Sequence, residues 1–276
     1  MGVVFADLHT HSHFSDGTLS PAGLVSLAKL RGIEVLALTD HDTTDGIKEA
    51  KEAGYYYGVQ VIPGVELSCE YDGIEVHVLG YFIDVNSEEL QQALARQRNR
   101  RRDRMEQMLK KLAEGGVKIS LDEVLNLAQF GVVGRPHLAQ VLLQRGFVRD
   151  LRSAYDLYIG HDRPYYVPTL RMDVSEAVDL IRNVGGLPVL AHPVFVPSRV
   201  LPDLLSKFPF WGVEVVYPEH SSRFVQQLRD IAEEKGLAMT GGSDFHGSAK
   251  KEDYLGQIGL SKEEYEVLMG IYEFQR

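Results

Sequence analysis

Val3-Val4-Phe5-Ala6 runs straight into Asp7-Leu8-His9-Thr10-His11, a short apolar stretch that ends in acidic and imidazole side chains. The pattern recurs along the chain. Val35-Leu36-Ala37-Leu38 leads into Thr39-Asp40-His41, Val61-Ile62-Pro63-Gly64-Val65 into Glu66, and Leu187-Pro188-Val189-Leu190-Ala191 into His192. Leu237-Ala238-Met239-Thr240-Gly241-Gly242-Ser243 leads into Asp244-Phe245-His246. Short β-branched apolar runs alternating with helical spacing mark parallel strands buried on both faces. In a barrel or doubly wound sheet of such units the strand C-termini open on one rim, so residues remote in sequence converge there.

The candidate metal ligands are His9, His11, Asp16, His41, Glu66, His77, His192, Asp244 and His246, with Asp40 beside them. Imidazole nitrogen and carboxylate oxygen without thiolate suit Zn²⁺, Mn²⁺ or Fe²⁺. So many donors exceed the needs of one tetrahedral ion. Two or three divalent ions sharing a bridging carboxylate are expected, and a purely structural site, closed and rich in thiolate, is not.

Composition sets the outer limits. A chain of 276 residues holds one large α/β domain, with or without an insertion, and 44% apolar with 25% charged residues is ordinary for a globular protein. No apolar stretch approaches the length of a membrane span, and Met1-Gly2 leads into the first strand without a basic leader, so a cytoplasmic location is expected. The single cysteine, Cys69, excludes an intrachain disulfide and reads as a small buried residue. A net charge of −10 argues against broad binding to duplex nucleic acid. Sequence gives no oligomeric state.

Ser20-Pro21 reads as a helix start, with apolar spacing continuing to Gly32, and a second helix is expected from Thr43 to Gly58. Leu67 to Tyr81 alternates around Asp72-Gly73, a hairpin signal that puts His77 on the second strand. From about Ser87 to Tyr166 helical spacing takes over, with segments at Leu121 to Phe130, Pro136 to Arg145 and Leu151 to Ile159. The expected organisation is a barrel of residues 1–86 and 167–276 with an all-helical insertion, 87–166, capping its rim. The strand and helix rhythm resumes at Asp173, through a helix to Gly185, a strand from Trp211 to Val216 and a helix to Gly236.

Asp7-Leu8-His9-Thr10-His11-Ser12, Ser15-Asp16-Gly17, Thr39-Asp40-His41-Asp42 and Gly64-Val65-Glu66 resemble the polymerase and histidinol phosphatase (PHP) superfamily. His77, Ala191-His192-Pro193 and Gly242-Ser243-Asp244-Phe245-His246 extend the resemblance in order over nearly the whole chain. Gly134-Arg135-Pro136-His137 and Tyr166-Val167-Pro168 resemble the branch that holds nucleoside 3',5'-bisphosphate phosphatases and a 5'-to-3' exoribonuclease acting on short RNA. The resemblance implies a distorted TIM-like barrel of seven βα units and a trinuclear centre. One ion would take His9, His11, Glu66 and Asp244, a second Glu66, His77 and His192, and a third Asp16, His41 and His246. Asp7 and Asp40 would stand behind these, orienting imidazoles.

Such a centre suits hydrolysis of a phosphate ester, with Glu66, His192, Asp244 and Arg135 as the expected catalytic residues. Arg135 is the foremost phosphate contact, since its guanidinium matches phosphate oxygens and Pro136 starts a helix whose amides add positive potential. His137 is a second substrate candidate. The general acid stays unassigned between His220 and His137. The basic run Arg96 to Arg104 reads as a solvated helix face, the alternative being a track for RNA phosphates. Tyr165, Tyr166 and Phe195 read as core, the alternative being a base platform. Tyr55-Tyr56-Tyr57 is expected to pack, His161 and His220 to lie at the surface, and Glu214 to be a strand residue or a support behind the ligands. The expected substrate is a small nucleotide or a short oligonucleotide. A metal-dependent amidohydrolase and a noncatalytic metal-binding module are the readings from other classes.

Overall fold

The computed structural model describes residues 3–128, 132–168, 171–249 and 252–275. Strand β1 (Ala6–Thr10) is followed by helix α1 (Pro21–Leu30), β2 (Val35–Leu38), α2 (Ile47–Tyr57), β3 (Gln60–Tyr71) and β4 (Ile74–Tyr81). Helices α3 (Glu88–Glu114), α4 (Leu121–Leu127), α5 (Arg135–Gln144) and α6 (Leu151–Ala154) come next, α6 running on as a π-helical turn, Tyr155–Ile159. The chain then returns through β5 (Met172–Asp173), α7 (Val174–Asn183), β6 (Leu187–Leu190), α8 (Leu201–Lys207), β7 (Gly212–Val216), α9 (Ser222–Lys235), β8 (Ala238–Gly241) and α10 (Lys262–Gln275).

The sheet runs β1-β2-β3-β4-β6-β7-β8, with the short β5 added beside β3. It nearly closes: beyond β8 the chain reaches β1, where Thr10 bridges Phe245 and the His11 amide donates to the Phe245 carbonyl at 2.9 Å. β4 lies antiparallel to both β3 and β6. The turn at Asp72 (φ 48°) and Gly73 (φ 76°) makes this hairpin, so a tight turn replaces one helical crossover. Glu66 pairs with Leu79 and Ser68 with His77, which leaves His77 diagonal to Glu66 on the same face. His77 therefore reaches the site from inside a strand, whereas His192, Asp244 and His246 follow strand ends.

Helix α1 begins as its sequence predicts, with the Ser20 hydroxyl capping the Gly23 amide and Pro21 in the first turn. Helix α2 starts later than Thr43, at Ile47, and buries Ile47, Ala50, Ala53 and Gly54. That face turns Tyr55 and Tyr56 outward at 95% and 80% exposure, so the expectation that these tyrosines pack is corrected. Helix α4 ends at Leu127, and Phe130 lies outside the described residues. The first turns of α3 pack Leu90, Ala93 and Leu94 into the barrel core. Its later turns join α4 to α6 around a separate core of Met108, Leu112, Val124, Leu138 and Leu142. Cys69 is fully buried, and burial pushes its thiol well above the usual range.

Candidate metal centre

Glu66 is 1% exposed and stands between two groups of donors. Its Oε2 lies 3.3 Å from His9 Nε2, 3.2 Å from His11 Nε2 and 3.2 Å from His41 Nδ1. Its Oε1 lies 2.8 Å from His77 Nδ1 and 2.9 Å from His192 Nε2, which are 3.2 Å from each other. Asp244 Oδ1 completes the first group at 3.5 Å from His9 Nε2 and 3.2 Å from His11 Nε2. On the far side of His11, Asp16 Oδ1 lies 3.1 Å from His246 Nε2 and 3.9 Å from His11 Nδ1. All nine expected ligands fall into groups whose donor atoms lie within 4.8 Å of one another.

Divalent ions fit this donor set. His9 Nε2, His11 Nε2, His41 Nδ1, Asp16 Oδ1 and Glu66 Oε2 are buried yet have no hydrogen-bond partner, which is costly for polar atoms unless a cation takes their lone pairs. Ligands at roughly 2.0–2.2 Å from a tetrahedral ion stand about 3.3–3.6 Å apart, close to the spacings around Glu66 Oε2. Electrostatics agree. Burial by itself would raise the Glu66 pKa, but His41, His77 and His9 outweigh it and hold the carboxylate well below its usual range. Asp16 is likewise held low despite its burial, by His246 and His41. Burial opposes protonation of His9, yet Glu214, Glu66 and Asp244 together hold its pKa well above the usual value.

The backbone supports these positions under strain. His192 (φ 25°) and Asp244 (φ 50°) occupy conformations that side-chain-bearing residues rarely adopt, the kind found at functional sites. Gly242 lets the β8 end come against β1, because a Cβ there would overlap the His9 backbone nitrogen and Cβ. Gly242→Ala should therefore destabilise the fold by roughly 1–3 kcal/mol, read as a lower melting temperature, and should weaken ion binding by shifting His9. An unchanged melting temperature and ion affinity would contradict the close approach.

The layer behind the ligands differs from expectation. Asp7 does not orient an imidazole. Its Oδ1 accepts the Ser243 amide at 2.9 Å and the His9 amide at 3.3 Å, tying β1 to the ligand loop after β8, and burial raises its pKa to about 7. Asp40 holds the loop that carries Asp16, accepting the Ser12 amide (2.8 Å) and the Ser12 and Ser15 hydroxyls (2.6 Å each). A carboxylate that does orient an imidazole is Glu214, on β7 and fully buried. Its Oε1 lies 3.0 Å from His9 Nδ1 and its Oε2 accepts the His192 amide at 2.7 Å. Glu214 thus fixes one ligand's ring and another's strained backbone. Tyr217 donates to Asp244 Oδ2 at 2.9 Å, leaving Oδ1 toward His9 and His11. Outer partners of this kind support metal affinity by roughly 10- to 100-fold. Glu214→Ala should lower divalent-ion affinity by that factor in a titration against a chromophoric chelator, and Glu214→Gln, which keeps one acceptor, should fall between. Equal affinities in all three proteins would remove Glu214 from the account.

The insertion's candidates separate. Arg135 Nη2 lies 4.0 Å from Glu75 Oε2, and Glu75 Oε1 lies 3.5 Å from His77 Nε2, so this guanidinium reaches the centre through Glu75 and His77. His137 is 7% exposed; its Nδ1 accepts the Gly134 amide at 3.0 Å and its ring bonds the Ser15 backbone. It joins α5 to the Asp16 loop, so the expected substrate contact gives way to a structural bond. Of the basic run, Arg102 is exposed beside Glu106, but Arg101 turns inward to Asp42 Oδ2 and Ser68 Oγ, both at 2.6 Å. Arg104 also turns inward. The solvated-face reading fails at these two positions, spaced i and i+3 on the helix. Phe195 is 52% exposed at the rim, 5.2 Å from the His192 ring, while His161 is exposed as expected. His220 packs on Tyr217 and bonds the Val215 carbonyl, behind the ligands and not at the open surface.

A barrel with this donor cluster at one rim defines a metal-dependent hydrolase. Residues 7–161 match the PHP domain. The chain is 33% identical to the 5'-3' exoribonuclease Rnm of Escherichia coli over 250 residues, 88% of this chain and 85% of that protein. It is 32% identical to the 3',5'-nucleoside bisphosphate phosphatase of Chromobacterium violaceum over 246 residues, 87% of this chain and 86% of that one. A solved structure from Bifidobacterium adolescentis, described as a metal-dependent phosphoesterase, superposes with a TM-score of 0.89 at 29% identity, covering 97% and 96% of the two chains. The chain belongs to the PHP family, and it is a metal-dependent phosphoric-ester hydrolase. No helix among the described residues is long and apolar enough to cross a membrane.

Proposed function

We propose that the protein removes the 3'-phosphate of a nucleoside 3',5'-bisphosphate, in the cytoplasm, with two or three Mn²⁺, Zn²⁺ or Fe²⁺ ions. The observation that carries this is the span of Glu66 between two donor groups, flanked on one side by Asp16 and His246 and on the other by the arginines beyond His77. Such ions, held by His9, His11, Asp244, His77, His192, His41, Asp16, His246 and Glu66, would supply an activated water and offset charge on phosphoryl oxygens. The chain's own part is to fix the donors. Glu214 and Tyr217 set His9 and Asp244, Asp40 sets the Asp16 loop, and the helices of residues 87–166 narrow the rim so that a small substrate is held.

The runner-up is stepwise 5'-to-3' cleavage of short RNA, for which half-exposed Phe195 offers a stacking surface beside His192. Phosphate release with Mn²⁺ from the bisphosphate, beside mononucleotide release from a 5'-phosphorylated pentaribonucleotide, separates the two. Arg135→Ala should lower kcat/KM for the bisphosphate on the order of 30-fold, mostly through KM, as expected for loss of one charged contact to a phosphate that does not react. Turnover of the bisphosphate indifferent to Arg135 would remove Arg135 as that contact.

A further inference from the structure

A cavity of about 230 Å³ opens between the Asp16 loop and α5, with His13, Asp16, Thr18, Leu127, Pro136 and Gln140 in its walls. It lies against the metal centre. Asp16 Oδ1 is 3.1 Å from His246 Nε2, and the Thr18 amide donates to the His246 carbonyl at 3.1 Å while its Oγ1 accepts the Ser248 amide at 3.0 Å. The barrel wall of the cavity is thus fastened to the donors Asp16 and His246. The facing wall belongs to the insertion. Pro136 and Gln140 stand one turn apart on α5, which His137 ties to the Ser15 backbone, and Leu127 closes in from the end of α4. Gly17 lets the loop curl tightly under this space, because a Cβ there would overlap the His11 carbonyl.

Charge divides the surroundings of the centre in two. On the His77 side Arg135 and Arg171 stand around Glu75. Among the described residues no lysine or arginine lines the cavity on the Asp16 side, and its carboxylate is Asp16 itself, already one of the ion donors. Burial pulls the His137 pKa below its usual value, so that ring adds no cation. Such a space is a poor host for a phosphate. It suits an uncharged group with apolar faces and a hydrogen-bonding edge, and a nucleobase is such a group. Leu127 and Pro136 offer surface to the faces of a ring, and the Gln140 amide both donates and accepts, as a base edge does.

Resting on the phosphoesterase reading above, we propose that this cavity seats a second nucleoside, joined through its 5'-oxygen to the phosphate at the metal centre, and that Gln140 reads its base. The smallest such substrate is a 5'-phosphorylated dinucleotide. The oxygen of water joins phosphorus, the bond from phosphorus to the first nucleoside's 3'-oxygen breaks, and that oxygen takes a proton from the water. The phosphate stays on the second nucleoside. A bisphosphate undergoes the same exchange without entering the cavity.

The test compares kcat/KM for a 5'-phosphorylated adenosine dinucleotide with that for adenosine 3',5'-bisphosphate in Mn²⁺-loaded wild type, Gln140→Ala and Gln140→Trp, each variant first shown to melt like the wild type. The ratio of dinucleotide to bisphosphate should fall about 5-fold in Gln140→Ala, through loss of one neutral hydrogen bond. In Gln140→Trp, whose indole fills the cavity, it should fall on the order of 10- to 100-fold. Calorimetric affinity for a dinucleotide analogue with methylene in place of the scissile 3'-oxygen should weaken in the same order. An unchanged ratio or an unchanged analogue affinity in Gln140→Trp would overturn the subsite, as would a wild type that turns over the bisphosphate but neither cleaves the dinucleotide nor binds the analogue. Analogue binding that is lost in Gln140→Trp, by a protein whose wild type hydrolyses neither ester, would keep the subsite and overturn the hydrolytic reading.

Discussion

Glu66→Ala should abolish turnover, with kcat falling on the order of 10³-fold or more, as expected when several kcal/mol of charge stabilisation is lost. Among the described residues no other side chain touches so many donors. One oxygen faces His9, His11 and His41, and the other faces His77 and His192, so a single truncation disconnects both groups. Glu66→Gln keeps the shape and removes the charge, and should lose nearly as much. Ion content per chain should drop in the same samples, which ties the kinetic loss to the centre and not to misfolding. A Glu66→Ala protein with full ion content and near-normal kcat would contradict the assignment.

Ion removal should be the second large effect. Chelation should stop turnover and lower the melting temperature by roughly 5–15 °C relative to protein with ions at 100- to 1,000-fold above Kd. The sign follows from burial: without cations, protonated histidines among the donors supply charge that balances the buried carboxylates of Asp16 and Glu66. Despite burial, carboxylate partners push His11 up to about 9 and His77 up to about 10 in the ion-free fold. A raised folded pKa stabilises fully below the unfolded value and is lost as pH rises through the folded one. The ion-free protein should thus weaken between about pH 6.5 and about pH 10, and the gap between ion-loaded and ion-free melting temperatures should widen over that window. A gap that narrows with rising pH would contradict the balance of charges described.

Much of the site was legible because its donors follow apolar runs, and topology brings such positions to one rim. Glu66, His192, Asp244 and His246 needed nothing more. His77 was reachable only through the Asp72-Gly73 turn, since its strand runs against its neighbours. Glu214 was legible only as one of two alternatives, a strand residue or a support, because one acidic residue inside an apolar strand has no local signature and its partners His9 and His192 lie far off in sequence. Asp7 and Asp40 were visible as acids near ligands, but which donors they would meet depended on loop paths that spacing does not encode. The inward turn of Arg101 and Arg104 was hidden for a related reason: a charge run shows its helical spacing, while burial is decided by the elements packed opposite. Helices α8 and α10 have no counterpart in the expected elements.

The most direct measurement is phosphate release from a nucleoside 3',5'-bisphosphate by the Mn²⁺-loaded protein, with Glu66→Ala in parallel. The wild type should release phosphate, stop on chelation and recover when ions are restored, with no release from Glu66→Ala. A wild-type protein with ions bound that releases neither phosphate from the bisphosphate nor mononucleotides from the 5'-phosphorylated pentaribonucleotide would contradict the proposed function.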